Sequence, residues 1–211
     1  MVVEMNPKKN ISVLLNIEVK DKHGKIVKKL KKESESLLNN FMEMLTSAMV
    51  LTPYSLKDVG GNDRTVSLFV PSTSETPVEL TPMDVLAGDD IDSYGIQVGT
   101  GTTPVTSQDY ALASKISHGS ASGQLDYGAC SLETKAITNN TSYARYRRDF
   151  TNLSGATITV NEIGLVAKHK RVIGATTEGE WYFLIIRDVI TAVDVPDGGT
   201  LTVRYEIRVT A

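Results

Sequence analysis

The sequence has one cysteine, Cys130, so no disulfide can form within the chain and no cysteine cluster can hold zinc. It has one tryptophan, Trp181, inside a strand-like stretch, so a glycan-gripping surface built on exposed tryptophans has little to draw on. The three histidines, His23, His118 and His169, lie far apart and signal no zinc site. No apolar run approaches the roughly 18 residues of a spanning helix. The start, Met1 to Lys9, lacks the charged region, apolar run and cleavage site of a signal peptide, so synthesis as a soluble cytoplasmic product is expected. Neither sign of charge dominates: the net charge is −3, which does not ask for nucleic acid. Against these shortages stand 211 residues, 41% of them hydrophobic, enough to bury a core without disulfides or metals.

Charge is unevenly spread. Residues 1–33 hold nine lysines against four acids, while residues 57–133 hold three bases against eleven acids. One reading is a basic N-terminal arm facing an acidic partner, such as the acidic middle of a neighbouring copy. The simpler one is an edge hairpin whose lysines block unwanted strand pairing.

Hydropathy patterning is mostly that of strands. Ile11 to Val19 alternates and runs into Asp21-Lys-His-Gly24, a turn signal, and Lys25 to Leu30 returns, which makes a hairpin. Leu37, Leu38, Phe41, Leu45, Ala48 and Met49 fall at helical spacing over 34–50, with Ser34 or Ser36 as cap and Pro53 as stop. Residues 53–93 lack periodicity, apart from a candidate strand over 65–70, and their prolines, serines, threonines and acids predict a long acidic loop region. Tyr94 to Gly99 reads as a buried strand. Five more strands are predicted near 124–135, 142–152, 157–168, 181–190 and 200–209, with turns between them. The expected fold is mainly β: an antiparallel, jelly-roll-like β-sandwich with an N-terminal hairpin and one long helix. The expected parts are an arm over 1–33, a helix over 34–52, the loop region 53–93 and a sandwich core over 94–211. Deleting 1–33 is expected to leave that core folded.

Motifs that carry chemistry are weak. Gly99-Thr-Gly101-Thr-Thr-Pro104 starts like a dinucleotide loop, but proline replaces the third glycine and no helix follows at once to cradle a phosphate. Asp89, Asp90 and Asp92 before Gly95 resemble part of a calcium loop, but the closing glutamate is missing and a solvated acidic loop is the plainer reading. There is no Gly-x-Ser-x-Gly, no His-Glu-x-x-His and no P-loop. An enzyme would need a pocket joining His118 or His169 to carboxylates. Cys130 reads as a small buried residue, and Glu162 and Arg187 as a cross-strand ion pair. Tyr143, Tyr146, Arg145, Arg147 and Arg148 make an aromatic-basic strand, suited to single-stranded nucleic acid, to sugar or, more simply, to a neighbouring subunit. No cofactor is expected.

The block Tyr94-Gly-Ile-Gln-Val-Gly-Thr-Gly-Thr-Thr-Pro-Val-Thr-Ser-Gln-Asp-Tyr-Ala-Leu112 resembles a segment of structural proteins of tailed viruses of bacteria and archaea. There a strand ends in Gly-x-Gly, a proline follows, and an Asp-Tyr-x-Leu turn packs back on the sheet. Val160 to Leu165, Leu184 to Val189 and Leu201 to Ile207 are similar to the closing strands, and Ser36-Leu-Leu-Asn-Asn-Phe41 to the helix entry. The resemblance covers about three quarters of the chain and leaves 51–93 unmatched. It implies a non-enzymatic virion protein, a capsid decoration, turret, tail or baseplate piece, whose partners are its own copies and other virion proteins. The expected contact residues are Lys28, Lys29, Lys31, Tyr143, Arg145 and Arg147. The alternative is a sandwich binding module whose loops 71–93 and 99–123 grip glycan or a host-surface receptor. Membrane is not an expected partner.

Overall fold

The computed structural model describes residues 10–34, 36–50, 54–66, 78–138, 140–173 and 176–210. Strands β1 (Asn10–Lys20) and β2 (Ile26–Ser34) form the expected hairpin. Its turn closes where Asp21 Oδ1 accepts the N–H groups of His23 and Lys25, at 2.9 and 3.0 Å, and Gly24 supplies a φ of +78°.

This hairpin is not an appended arm. β1 pairs along its whole length with the last strand, β12 (Thr200–Thr210), in register from Asn10↔Thr210 to Lys20↔Thr200. β12 pairs in turn with β9 (Thr141–Thr151). On the far side of β9 lie β7 (Asp126–Tyr127) and β8 (Ser131–Ile137). β1 is therefore an inner strand of a six-stranded antiparallel sheet. Its alternate residues Val13, Leu15, Ile17 and Val19 are buried beside Leu201, Val203 and Tyr205 of β12. Removing 1–33 would strip that apolar row, so the deletion is now expected to unfold the sheet.

The second sheet has β10 (Ile158–Ile173) at its centre, with β11 (Thr176–Val195) on one side and β5 (Val78–Asp84) and β6 (Gly95–Gly99) on the other. The sheets pack as a sandwich. The hydroxyl of Tyr205 crosses the interior to donate to Asp188 Oδ2 of β11 at 3.0 Å. Residues 162–167 of β10 and 183–188 of β11 are all buried, so this sheet is covered on its other face as well. Lysines of β2 shield the β11 edge: Lys28 Nζ donates to the Ala192 carbonyl at 2.6 Å and Lys32 Nζ to that of Val189 at 3.3 Å.

The 53–93 stretch is not one long loop. It holds β3 (Tyr54–Lys57), β4 (Asp63–Val66) and β5. The first two form a short hairpin too brief to show a period, and β5 carries Pro82 at an irregularity of its pairing with β10, where proline is tolerated. The rest of the strand expected over 65–70 lies outside the described residues.

The helix α1 spans Asn39–Val50, shorter than the spacing predicts. Ser36 to Leu38 add to the β11 edge instead, with the Leu38 N–H donating to Ile185 O at 3.0 Å. The buried face is Asn40, Met44 and Ser47, while Met49 is 75% exposed. Asn40 substitutes for an apolar residue because its amide joins three backbones: it donates to Lys57 O and Leu184 O and accepts from Lys57 N–H.

Candidate functional site

Glu162 and Arg187 form the expected pair, and the structure adds what they hold. Arg187 Nε and Nη2 reach Glu162 Oε2 at 3.0 and 2.8 Å, in a site where Glu162 is wholly buried. The other side of the carboxylate faces the Gly-x-Gly loop. Oε1 accepts the N–H groups of Gly101 at 3.1 Å and Ser114 at 2.6 Å, and Oε2 that of Ala113 at 3.0 Å. A Cβ on Gly101 would stand 2.4 Å from Glu162 Oε1, and one on Gly99 2.6 Å from it. The two glycines are thus explained by the chain's own carboxylate, not by a phosphate. Arg187 Nη1 also binds Asp109 Oδ2 at 2.7 Å, which anchors the Asp-Tyr-x-Leu turn on the sheet. Leu112 of that turn packs over Gly164, where a Cβ would meet it at 2.9 Å. Burial pushes the Asp109 carboxyl up, but the Thr106 N–H and Arg187 outweigh this and hold it below its ordinary value. The network clamps loop to sheet.

Arg148 does the same from inside the sandwich. It is fully buried and has no carboxylate within hydrogen-bond reach among the described residues. Its guanidinium donates to five carbonyls: Gly128, Tyr94 and Ile96 at 2.7, 3.0 and 3.1 Å, Gly88 at 3.3 Å, and Ile91. It also lies 4.7 Å from the centroid of the Tyr127 ring. Burial lowers its pKa from the ordinary arginine value.

The candidate calcium set does not form. Asp92 turns inward, where its carboxylate accepts the His118 N–H at 2.8 Å and pairs with Lys115 at 3.1 Å, while Asp89 is exposed. Asp90 meets different partners. Asp90, His118 and Asp126 each bring a ligand atom within 4.8 Å of one another. Yet His118 Nδ1 accepts the Tyr127 N–H at 3.2 Å, which puts the proton of the neutral ring on Nε2, 3.7 Å from Asp90 Oδ1. A cation bound through the neutral ring needs a bare nitrogen, and this bond leaves none, so His118 reads as a loop lock. His169 is buried and stacks on Trp181 at 6.0 Å.

The chemically open surface is the outer face of the six-stranded sheet. Tyr143, Arg145 and Arg147 of β9 point outward, whereas Arg148 points into the core. Lys29 and Lys31 of β2 share the outer face; Lys28 is turned to the β11 edge. A groove of about 540 Å³ runs across this face, with Lys29 and Lys31 on one strand and Arg145, Arg204 and Arg208 on two others. Carboxylates tie most of these cations in place. Glu206 binds Arg145 at 2.5 Å and also Arg208, Glu133 binds Arg204 at 2.9 Å, and Glu18 binds Lys29 at 3.1 Å. Lys31 has no ion-pair partner among the described residues. Arg145 and Arg208 flank the Tyr143 ring at 5.6 and 5.9 Å. The lysine bond of Glu18 keeps its carboxyl below the usual value; for Glu206 burial acts upward and the two arginines prevail.

Sequence reasoning named six contact residues, and the structure puts five of them on one face. It missed Arg204, Arg208, Glu133 and Glu206, although the alternating charges of β12 are the signal that marks such a face. It also missed Asp109 as the third member of the buried pair, for which no sequence pattern exists. No family model, curated protein or solved structure matches the chain. No helix among the described residues is long and apolar enough to cross a membrane.

Proposed function

We propose that this chain is a structural subunit of a tailed virus particle, assembling in many copies through protein–protein contacts on the capsid or tail. The observation that carries the proposal is the outer sheet face, where Lys29, Lys31, Arg145, Arg204 and Arg208 line one groove and Tyr143 and Arg147 share the face on the strand of Arg145. Its cations suit an acidic partner surface, and the acidic loops of a neighbouring copy supply one. Other virion proteins are the second class of partner, and the particle is the place of action. The resemblance over Tyr94 to Leu112 agrees with this reading, since Asp109 and Leu112 do pack back on the sheet. The buried charges are engaged in clamping loops, which suits a rigid building block, and the proposal assigns no catalytic step.

Light scattering of the purified chain over a concentration series tests this. The expected result is a discrete oligomer or growth into larger assemblies. Lys29→Glu with Lys31→Glu should weaken association at least tenfold without changing the circular dichroism spectrum. A strict monomer at high concentration, or assembly indifferent to both reversals, would sink the proposal.

A further inference from the structure

A second, smaller cavity of about 290 Å³ opens where the loop at Asp92, the Asp-Tyr-x-Leu turn and β11 meet. Its apolar lining includes Ala111, Leu112 and the ring of Tyr182, and its polar lining includes Gln97, Asp92 and Lys115. Three features define what fits. First, Gln97 is only 4% exposed, and its Nε2 gives one hydrogen bond, to Asp92 O at 2.8 Å. Its Oε1 accepts no bond within the described residues, although the side chain lines the cavity. That oxygen is open to the cavity, so a ligand hydroxyl can donate to it in place of water. Second, Asp92 and Lys115 neutralise each other at 3.1 Å, so the cavity has no net charge to offer an ion. A zwitterionic amino acid would have to break that pair. Third, Tyr182 is held firmly, stacked on Tyr94 with ring centroids 6.1 Å apart and its hydroxyl bonded to Glu180. It offers an apolar wall beside polar groups. The volume lies at the lower limit of small-molecule sites, about 300–1,000 Å³, and admits one ring.

A neutral ring with apolar C–H surface and a rim of hydroxyls meets all three conditions. We propose that this cavity binds a single neutral pyranose unit, packed against Tyr182 and hydrogen-bonded by Gln97, Asp92 and Lys115. The ring can be free or the end of a longer glycan. This inference does not rest on the assembly reading, because the cavity shares no residue with the outer-face groove.

Saturation-transfer NMR on the full chain tests it, using the methyl pyranosides of glucose, galactose, mannose and N-acetylglucosamine as probes. Transfer to at least one of them is expected, with millimolar affinity. Ala111→Trp, which fills the cavity, should abolish it. Tyr182→Leu, which removes the ring but keeps an apolar side chain, should weaken it about tenfold with the fold verified by circular dichroism. Absence of transfer to all four probes overturns the proposal. So does transfer that persists in both variants, which would mean binding elsewhere. Light scattering of the same variants should be unchanged, so a failure of sugar binding and a failure of assembly are separate results.

Discussion

Arg147 and Arg148 are neighbours in β9 and live in opposite worlds. Arg148 is sealed in the sandwich and holds the carbonyls of Gly88, Tyr94, Ile96 and Gly128. Arg147 lies on the outer face, 39% exposed, and pairs with Asp149 at 2.7 Å. The interior uses charge as a clamp: Arg148 and the Glu162–Arg187–Asp109 group each tie a long loop to a sheet. The outer face uses charge as a display, with cations propped by carboxylates around an open groove. The lesson is that burial sets the role of an arginine. In the core its donors must all be matched and the geometry becomes rigid. At the surface water matches them, and the side chain remains free to meet a partner.

Substituting the two arginines should give very different results. Arg148→Lys keeps the charge, but an ammonium has three donors where the guanidinium serves five carbonyls. The expected loss is about 3 kcal/mol or more, measured by urea unfolding. A loss below about 1 kcal/mol would mean that Arg148 is no clamp.

Acid should act next, on carboxylates that accept hydrogen bonds in the loops and turns. Asp58 and Asp109 have folded pKa values below their ordinary 3.8, and so does Asp92. Burial opposes each shift, while hydrogen bonds from Arg64 to Asp58, from the His118 N–H to Asp92 and from the Thr106 N–H to Asp109 prevail. Unfolding raises these pKa values, so the unfolded chain binds more protons once the pH nears 4. The stabilisation is therefore complete above the unfolded values and is lost as pH falls through the folded ones. Thermal melting should be flat from neutral pH to about pH 5 and then fall. A melting temperature that stays level down to pH 3 would contradict these shifts.

The smallest effect should come from Arg147→Ala, about 0.5 kcal/mol and at most 1 by the same urea titration. A larger loss would show that the outer face belongs to the stabilising framework.

Much of the fold was legible. Asp21 to Gly24 marked the first turn, the strict alternation of Leu201 to Val209 marked β12, and Glu162 and Arg187 pair as expected, although diagonally, since Arg187 lies opposite Gly164. Other features were hidden because they depend on distant chain. Leu37 and Leu38 fit a helical stripe as well as they fit an edge contact, and only the position of β11 decides between them. Asn40 looks like a solvent-facing residue until Lys57 and Leu184 arrive beside it. The strands in 54–84 are too short or too irregular to show a period.

For the candidate site the division is similar. Alternation placed Tyr143, Arg145 and Arg147 on one side of β9 and Arg148 on the other, because successive side chains of a strand point to opposite faces. Nothing in the local pattern says which of those faces is covered. That was settled by the pairing of β1 with β12 and the stacking of the two sheets, since burial is a property of what lies opposite. The sequence alone thus determined the strands, the turns and which residues share a face. The tertiary structure decided which face became core, why Gly99 and Gly101 must be glycine, and which charges remained open to a partner.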